Sequence, residues 1–208
     1  MKRFFRILMI AGLAIAILNL TSSQIASAST DPQSTVQQTK VTEFLHSVMP
    51  SATDVQLNNL ANDPNFVRNV ATVLDVKVSR SVFSTRGACT RSWSKIQSRG
   101  LFGTLFSFKL ILSWCYDAGR VTSHSNKVVP DVTMYGSAFG WAYKGEYQAR
   151  NTHYYTWNGH RYGGYVAEAF GEFGRCLGGN VGCIDQRFAD VGVCGHYNGS
   201  ASYIHKMN

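Results

Sequence analysis

From Phe106 to Tyr116 the chain alternates with a period of two. Phe106, Phe108, Leu110, Leu112, Trp114 and Tyr116 occupy every second position, with Ser107, Lys109, Ile111, Ser113 and Cys115 between them. A period of two puts the aromatic and aliphatic set on one side of an extended chain, which predicts a strand with one buried face. Asp117-Ala118-Gly119 is turn material, and residues 120–123 are expected to return as the partner strand. A second hairpin is written at 152–165. Residues 152–157 run into Asn158-Gly159, the dipeptide preferred by a two-residue type I′ turn, and residues 160–165 leave it. Further short strands are expected around 132–136, 139–144, 165–176 and 186–194. Short strands separated by turns, with no long helical period among them, predict a mainly β fold, an antiparallel β-sandwich or small barrel.

The pattern upstream is different. Val41, Phe44, Leu45 and Val48 recur at helical spacing until Pro50 stops them. Asp63-Pro64 reads as a helix start, an N-cap carboxylate followed by a proline in the first turn, and Phe66, Val67, Val70, Val73 and Leu74 follow as an apolar stripe. Residues 53–60 read as a further short helix, and the polar run 29–40 as a disordered lead-in. Composition breaks at the same place. Residues 87–208 hold 18 of the 19 glycines and all five cysteines, whereas 29–86 hold none of either. The chain therefore divides into a leader at 1–28, a helical N-terminal region at 29–86 and a Gly-, aromatic- and Cys-rich β domain at 87–208. The helical region is either an appendage of the β domain or a pro-segment cut near Arg80 or Arg86.

The leader has the three parts of a secretory signal peptide. Lys2, Arg3 and Arg6 precede the apolar run 7–20, and Ala26-Ser27-Ala28 supplies the small-x-small cleavage pattern. That run is shorter than the roughly 20 residues that span a bilayer, and no later stretch is apolar enough, so the expectation is a secreted, extracellular protein with no transmembrane segment after signal removal. In an oxidising compartment Cys89, Cys115, Cys176, Cys183 and Cys194 should pair and leave one over. Fifteen connectivities are open. Cys176 with Cys183 is the easiest closure, because the glycines between them permit a tight reversal. No Cys/His spacing suits a metal, and neither metal nor cofactor is expected.

Four pieces occur in order: FSFKLILSWCYDAGRVTS, GWAYKG, YYTWNGHRYGGY and FGRCLGGNVGCI. Together, with the W-C-Y-D, G-W-x-Y-x-G and C-x6-C elements, they resemble a group of small secreted bacterial proteins of uncharacterised function over residues 98–203. The resemblance implies a secreted, disulfide-containing β domain and transfers no catalytic residue.

Catalytic signatures are missing from the chain: no nucleophile elbow, zincin helix, phosphate loop or dinucleotide fingerprint. Of the acids in the β domain, Glu168 and Glu172 are nearest in sequence, but on a strand they lie roughly 13 Å apart, beyond the separation of a glycosidase pair. A secreted hydrolase with acid and base from separate strands remains an alternative, as does an antimicrobial or competition protein restrained by a pro-segment. Charge is +8 overall, and residues 87–208 carry twelve Lys/Arg against seven Asp/Glu. Along the chain these cations stand singly, without the run that would make a phosphate track, so nucleic acid is not the expected partner. An anionic cell-wall polymer or glycan suits the charge better.

The candidate ligand-binding residues lie in the second hairpin. A two-residue turn sets Trp157 opposite His160 and Tyr155 opposite Tyr162, and alternation puts His153, Tyr155, Trp157, His160 and Tyr162 on one face. Exposed, that face would be an aromatic platform for sugar rings. Turned inward, it would be core. The expectation is a non-enzymatic binding or interaction module for a cell-surface polymer or glycan.

Overall fold

The structure is a computed structural model that describes residues 32–84, 88–117, 119–157, 160–176 and 183–208. The proposed signal peptide at 1–28 lies outside the described residues. Three helices come first: α1 (Pro32–Val48), α2 (Asp54–Asn62) and α3 (Pro64–Val70). They lead into β1 (Asp75–Ser84), β2 (Cys89–Gly100), β3 (Gly103–Asp117) and β4 (Arg120–Val132). A one-turn helix, α4 (Met134–Ala138), crosses to β5 (Trp141–Trp157), β6 (His160–Arg175), β7 (Asp185–His196) and β8 (Ala201–Met207). Each set of four strands is an antiparallel meander, ordered β1-β2-β3-β4 and β5-β6-β7-β8. The two sheets pack as a sandwich around one core, and the fold is mainly β as its alternation predicts.

The alternation in β3 sets the inner face. Phe106, Phe108, Leu110, Leu112 and Trp114 are all buried. Phe106 stacks on Phe173 of β6 with ring centroids 4.3 Å apart, and lies 4.8 Å from the Trp141 ring. Glycines opposite the largest rings let the sheets approach: a Cβ at Gly171 would meet the Phe108 ring at 2.5 Å, and one at Gly195 the Trp114 indole at 2.5 Å. β2 turns its small residues inward, with Thr90, Ser92, Ser94 and Ser98 buried beside Ile96. The Ser92 and Tyr203 hydroxyls then share a hydrogen bond of 2.8 Å between the sheets.

The helices share this core. Val41, Phe44 and Leu45 of α1 are buried, and the Phe44 ring stacks on Tyr135 of α4 at 4.9 Å. The carbonyls at the end of α3 are taken up by the β domain. Tyr135 donates its hydroxyl to Val70 O, Trp141 its indole N–H to Ala71 O at 3.0 Å, and Arg175 a guanidinium N–H to Arg68 O at 3.4 Å. A cation at a helix C-terminus meets the negative end of the helix dipole. Burial pushes the Tyr135 phenol up to about 12 and lowers the Arg175 guanidinium from its ordinary value. The 29–86 region is therefore bonded into the fold at several points.

Four expectations need correction. Residues 75–84, assigned with the helical region, form edge strand β1, because Val76, Val78 and Val82 alternate in register with Ser98, Ile96 and Ser92 of β2. The polar lead-in forms helix from Pro32, held by Gln37 side-chain donation to Ser137 O and Ala138 O. The strand expected at 132–136 gives way at Met134 to a helix over Met134–Ala138, since Thr133 caps it by accepting from Gly136 N–H. The strands are long, up to 17 residues in β5, rather than short. The helix at 53–60 is found as α2, closed by a capping box between Thr53 and Gln56. Asp63 caps α3 as its sequence predicts.

Disulfides join Cys89 to Cys115 and Cys176 to Cys183, leaving Cys194 free and buried. The second is the closure expected from the glycine-rich spacing. The first ties β2 to β3 where Cys89 and Cys115 stand opposite in the ladder. In the chain-entropy model a loop of that length contributes about 3.5 kcal/mol.

Candidate functional site

With β3 and β2 turning their small and apolar residues inward, every second residue of β2 must face solvent. These are Arg91, Trp93, Lys95, Gln97 and Arg99, all exposed or half-buried. The ladder adds neighbours from the other strands: Lys77 opposite Gln97, Lys109 opposite Lys95, and Lys127 on β4 opposite Ile111, itself opposite Trp93. The outer face of the first sheet thus gathers seven cations: Lys77, Arg91, Lys95, Arg99, Lys109 and Lys127, with Arg120 at the hairpin end. Three carboxylates share it, all toward its ends: Asp117 lies opposite Arg120 at the hairpin end, and the other two lie toward the helical end. Asp75 stands opposite Arg99, and Asp131 stands opposite Ser107. The middle of the face has none.

Lys95 and Lys109 are direct cross-strand neighbours, a placement that brings Cβ atoms to roughly 4.5–5.5 Å and sets like charges against each other. Among the described residues neither forms a salt bridge; the two ion pairs found are His46–Asp54 and Arg187–Asp185, elsewhere in the molecule. The Lys109 ammonium instead lies 4.7 Å from the centre of the Trp93 ring, a cation–π contact. Ser79, Ser81, Ser113 and Ser125 fill neighbouring outer positions. These short hydroxyl side chains leave the ring and the lysines standing above their neighbours.

This face corrects the expectation that the cations are scattered. They are single along the chain, but sheet register brings them together. The signal was present in the alternation Arg91-Ser92-Trp93-Ser94-Lys95 and on to Arg99, long polar residues at every second position with serines between.

The hairpin candidates are placed differently. β5 and β6 pair as the turn predicts, with Trp157 opposite His160 and Tyr155 opposite Tyr162. The ladder is interrupted between Thr152 and Tyr154, and His153 falls in that interruption, outside the register that pairs the other four. β6 gains its partner β7 only from Gly164 onward, so residues 160–163 pair with β5 alone. Asn158 and Gly159, and the side chains of His153, Tyr155, Trp157, His160 and Tyr162, lie outside the described residues.

Glu168 and Glu172 share the outer face of the second sheet. Asp190 of β7 stands opposite Phe170 between them, a diagonal neighbour of each at roughly 7–8 Å. This is a flat strand surface. The recess between α1 and α2, lined by Gln38, Thr42, Glu43, His46 and Asn58, has Glu43 as the one carboxylate of its lining. Among the described residues no group of His, Cys, Asp and Glu is arranged to hold a metal ion, and no helix is long and apolar enough to cross a membrane. Comparison with protein-family models, with curated proteins and with solved structures finds no match, so the site is read from its own geometry.

Proposed function

We propose that this is an exported, non-enzymatic binding module that holds an anionic cell-surface polymer against the outer face of its first sheet. The observation that carries the reading is the pair Lys95–Lys109, like charges directly opposite on adjacent strands with no carboxylate in the middle of the face. Such a pair works against the fold and is relieved when an anion lies across it. Export is supported by the leader pattern at 1–28 and by two disulfides, bonds that persist outside the reducing cytosol. A broad sheet face suits an extended polymer, which meets several cations at once.

The test is co-sedimentation of the purified protein with cell walls and insoluble anionic polysaccharides at low and high salt. The Lys95→Gln/Lys109→Gln variant is run beside wild type, and Trp157→Ala reports on the hairpin. Pelleting that falls with salt and is reduced at least tenfold in the lysine variant supports the reading. Loss in Trp157→Ala with the lysine variant unaffected moves the site to the hairpin, and pelleting of neither wild type nor variants removes the proposal.

A further inference from the structure

Resting on that reading, we infer that the polymer is an acidic polysaccharide, with one sugar seated on the Trp93 ring and its anionic group held by Lys109 and Lys95. Trp93 has cations on three sides. Arg91 and Lys95 flank it along β2, each two residues away on the same face, and the Lys109 ammonium reaches its ring at 4.7 Å. An indole offers an apolar face to the C–H side of a pyranose, while its polar surroundings satisfy the sugar's hydroxyls. The Lys109 ammonium lies over the ring at 4.7 Å, so a sugar taking that face displaces it to the side, where it pairs with a carboxylate or sulfate on the same sugar. Ring and charge therefore address one residue of a ligand that carries both an apolar face and an anion.

The rest of the face agrees. Along β2 the outward sequence is cation, ring, cation, amide, cation: Arg91, Trp93, Lys95, Gln97 and Arg99. The cations recur every fourth residue, roughly 13 Å apart along the strand. Neutral hydrogen-bonding groups lie between and beside them, with Gln97 and the hydroxyls of Ser81 and Ser113 available to sugar hydroxyls. A chain of bare phosphates would leave the ring and these groups without use. Single-stranded nucleic acid stacks successive bases on successive aromatic platforms; among the described side chains this face has Trp93 alone, with Phe83 of β1 at the register position opposite Arg91. A bilayer would be met by protruding apolar side chains, whereas Trp93, Ile111 and Val129 are half-buried.

The experiment is a binding titration of the full exported protein against hyaluronan, polygalacturonate, inorganic polyphosphate, oligo(dT) and phosphatidylglycerol vesicles, each at two salt concentrations. Wild type, Trp93→Ala and Lys109→Gln are compared, with circular dichroism and melting to show that each variant is folded. The expected result is tightest binding to the acidic glycans. Trp93→Ala should lose at least tenfold there with the salt dependence kept, and less than twofold on polyphosphate. Lys109→Gln should weaken glycan binding and also flatten its salt dependence, a result that stands if Trp93→Ala fails to fold. Polyphosphate binding as tight as glycan binding, indifferent to Trp93, overturns this inference and leaves the anionic-polymer reading in place. Tighter, Trp93-dependent binding to oligo(dT), or vesicle binding above glycan binding, overturns it in favour of that ligand. No binding to any polyanion removes both.

Discussion

Lys95 and Lys109 stand opposite each other across the β2–β3 ladder, with no acid in the middle of the face they share. Replacing one by glutamate converts a repulsive cross-strand pair into an attractive one. Lys95→Glu should therefore stabilise the fold by about 0.5–1 kcal/mol, a rise of a few degrees in melting temperature for a chain of this size. The same substitution should weaken polyanion binding at least tenfold. Thermal melting and co-sedimentation on the one variant check both. A lower melting temperature with binding retained would mean that the lysines serve the fold instead of a ligand.

Binding and stability should respond differently to pH. The described groups on the outer face of the first sheet are lysines, arginines, serines, a glutamine, three acids, the Cys89–Cys115 disulfide and a few apolar side chains, with no imidazole. Affinity for a carboxylated polymer should then stay level between pH 5.5 and 8. A ligand held by His153 or His160 would instead change affinity across that range. Stability does have a histidine contribution. Burial lowers the His196 imidazole below its ordinary value of 6.5, while Nε2 shares a hydrogen bond of 2.8 Å with the Ser202 hydroxyl. The unfolded chain takes up this proton more readily than the native one. The contribution is therefore full above about pH 6.5 and is lost as pH falls through the lower native value. Melting curves from pH 7.5 to 5 should show a drop in wild type that His196→Gln reduces, and identical slopes would exclude His196.

The sequence was most legible where alternation and turn chemistry were strongest. The six-fold alternation in β3, the Asn158-Gly159 register, the Asp63 cap and the Cys176–Cys183 closure are all found. β2 was missed because its inward residues are serines and a threonine. Its buried face carries almost no hydrophobic signal and is covered by the opposite sheet, where Tyr203 of β8 bonds Ser92 and Met207 meets Ser98. The candidate site was missed for the same reason. Lys95 and Lys109 are 14 positions apart in the chain, and only the register of a strand that composition does not announce makes them neighbours. Cys89 with Cys115 follows from that register too.

Cys194 should be chemically silent in the folded protein. It lies on the outer side of β7 but is 4% exposed, and burial, with the Glu168 charge adding to it, raises its thiol to about 11. The reactive species is the thiolate, so both access and ionisation are suppressed. Labelling with iodoacetamide at pH 8 should be negligible over hours in buffer and complete within minutes in denaturant without reductant, with one thiol modified per chain. Rapid native labelling would show that β7 opens locally at this position.

Trp114 and Gly195 set how closely the sheets approach, and a methyl group tests it. The indole is 1% exposed and cannot swing away, because its N–H donates to His196 O at 3.0 Å. A Cβ at position 195 would fall 2.5 Å from the ring. Gly195→Ala should therefore cost about 1–3 kcal/mol, the usual penalty for overpacking a filled core. Trp114→Phe alone should also destabilise, through lost packing and the loss of one of the two donors to His196 O, which keeps the Gly199 N–H at 3.1 Å. In the Gly195→Ala background the smaller ring makes room for the methyl, so the double variant should be more stable than the sum of the single effects by 1 kcal/mol or more, on the order of couplings between touching residues. Melting of the four proteins measures that coupling. Polyanion binding below the melting transition should stay within twofold of wild type in Gly195→Ala, because the methyl lies between the sheets and the cations lie outside them. Strict additivity would mean that the ring and the glycine do not share one space, and loss of binding in a folded Gly195→Ala would tie the outer face to the core beneath it.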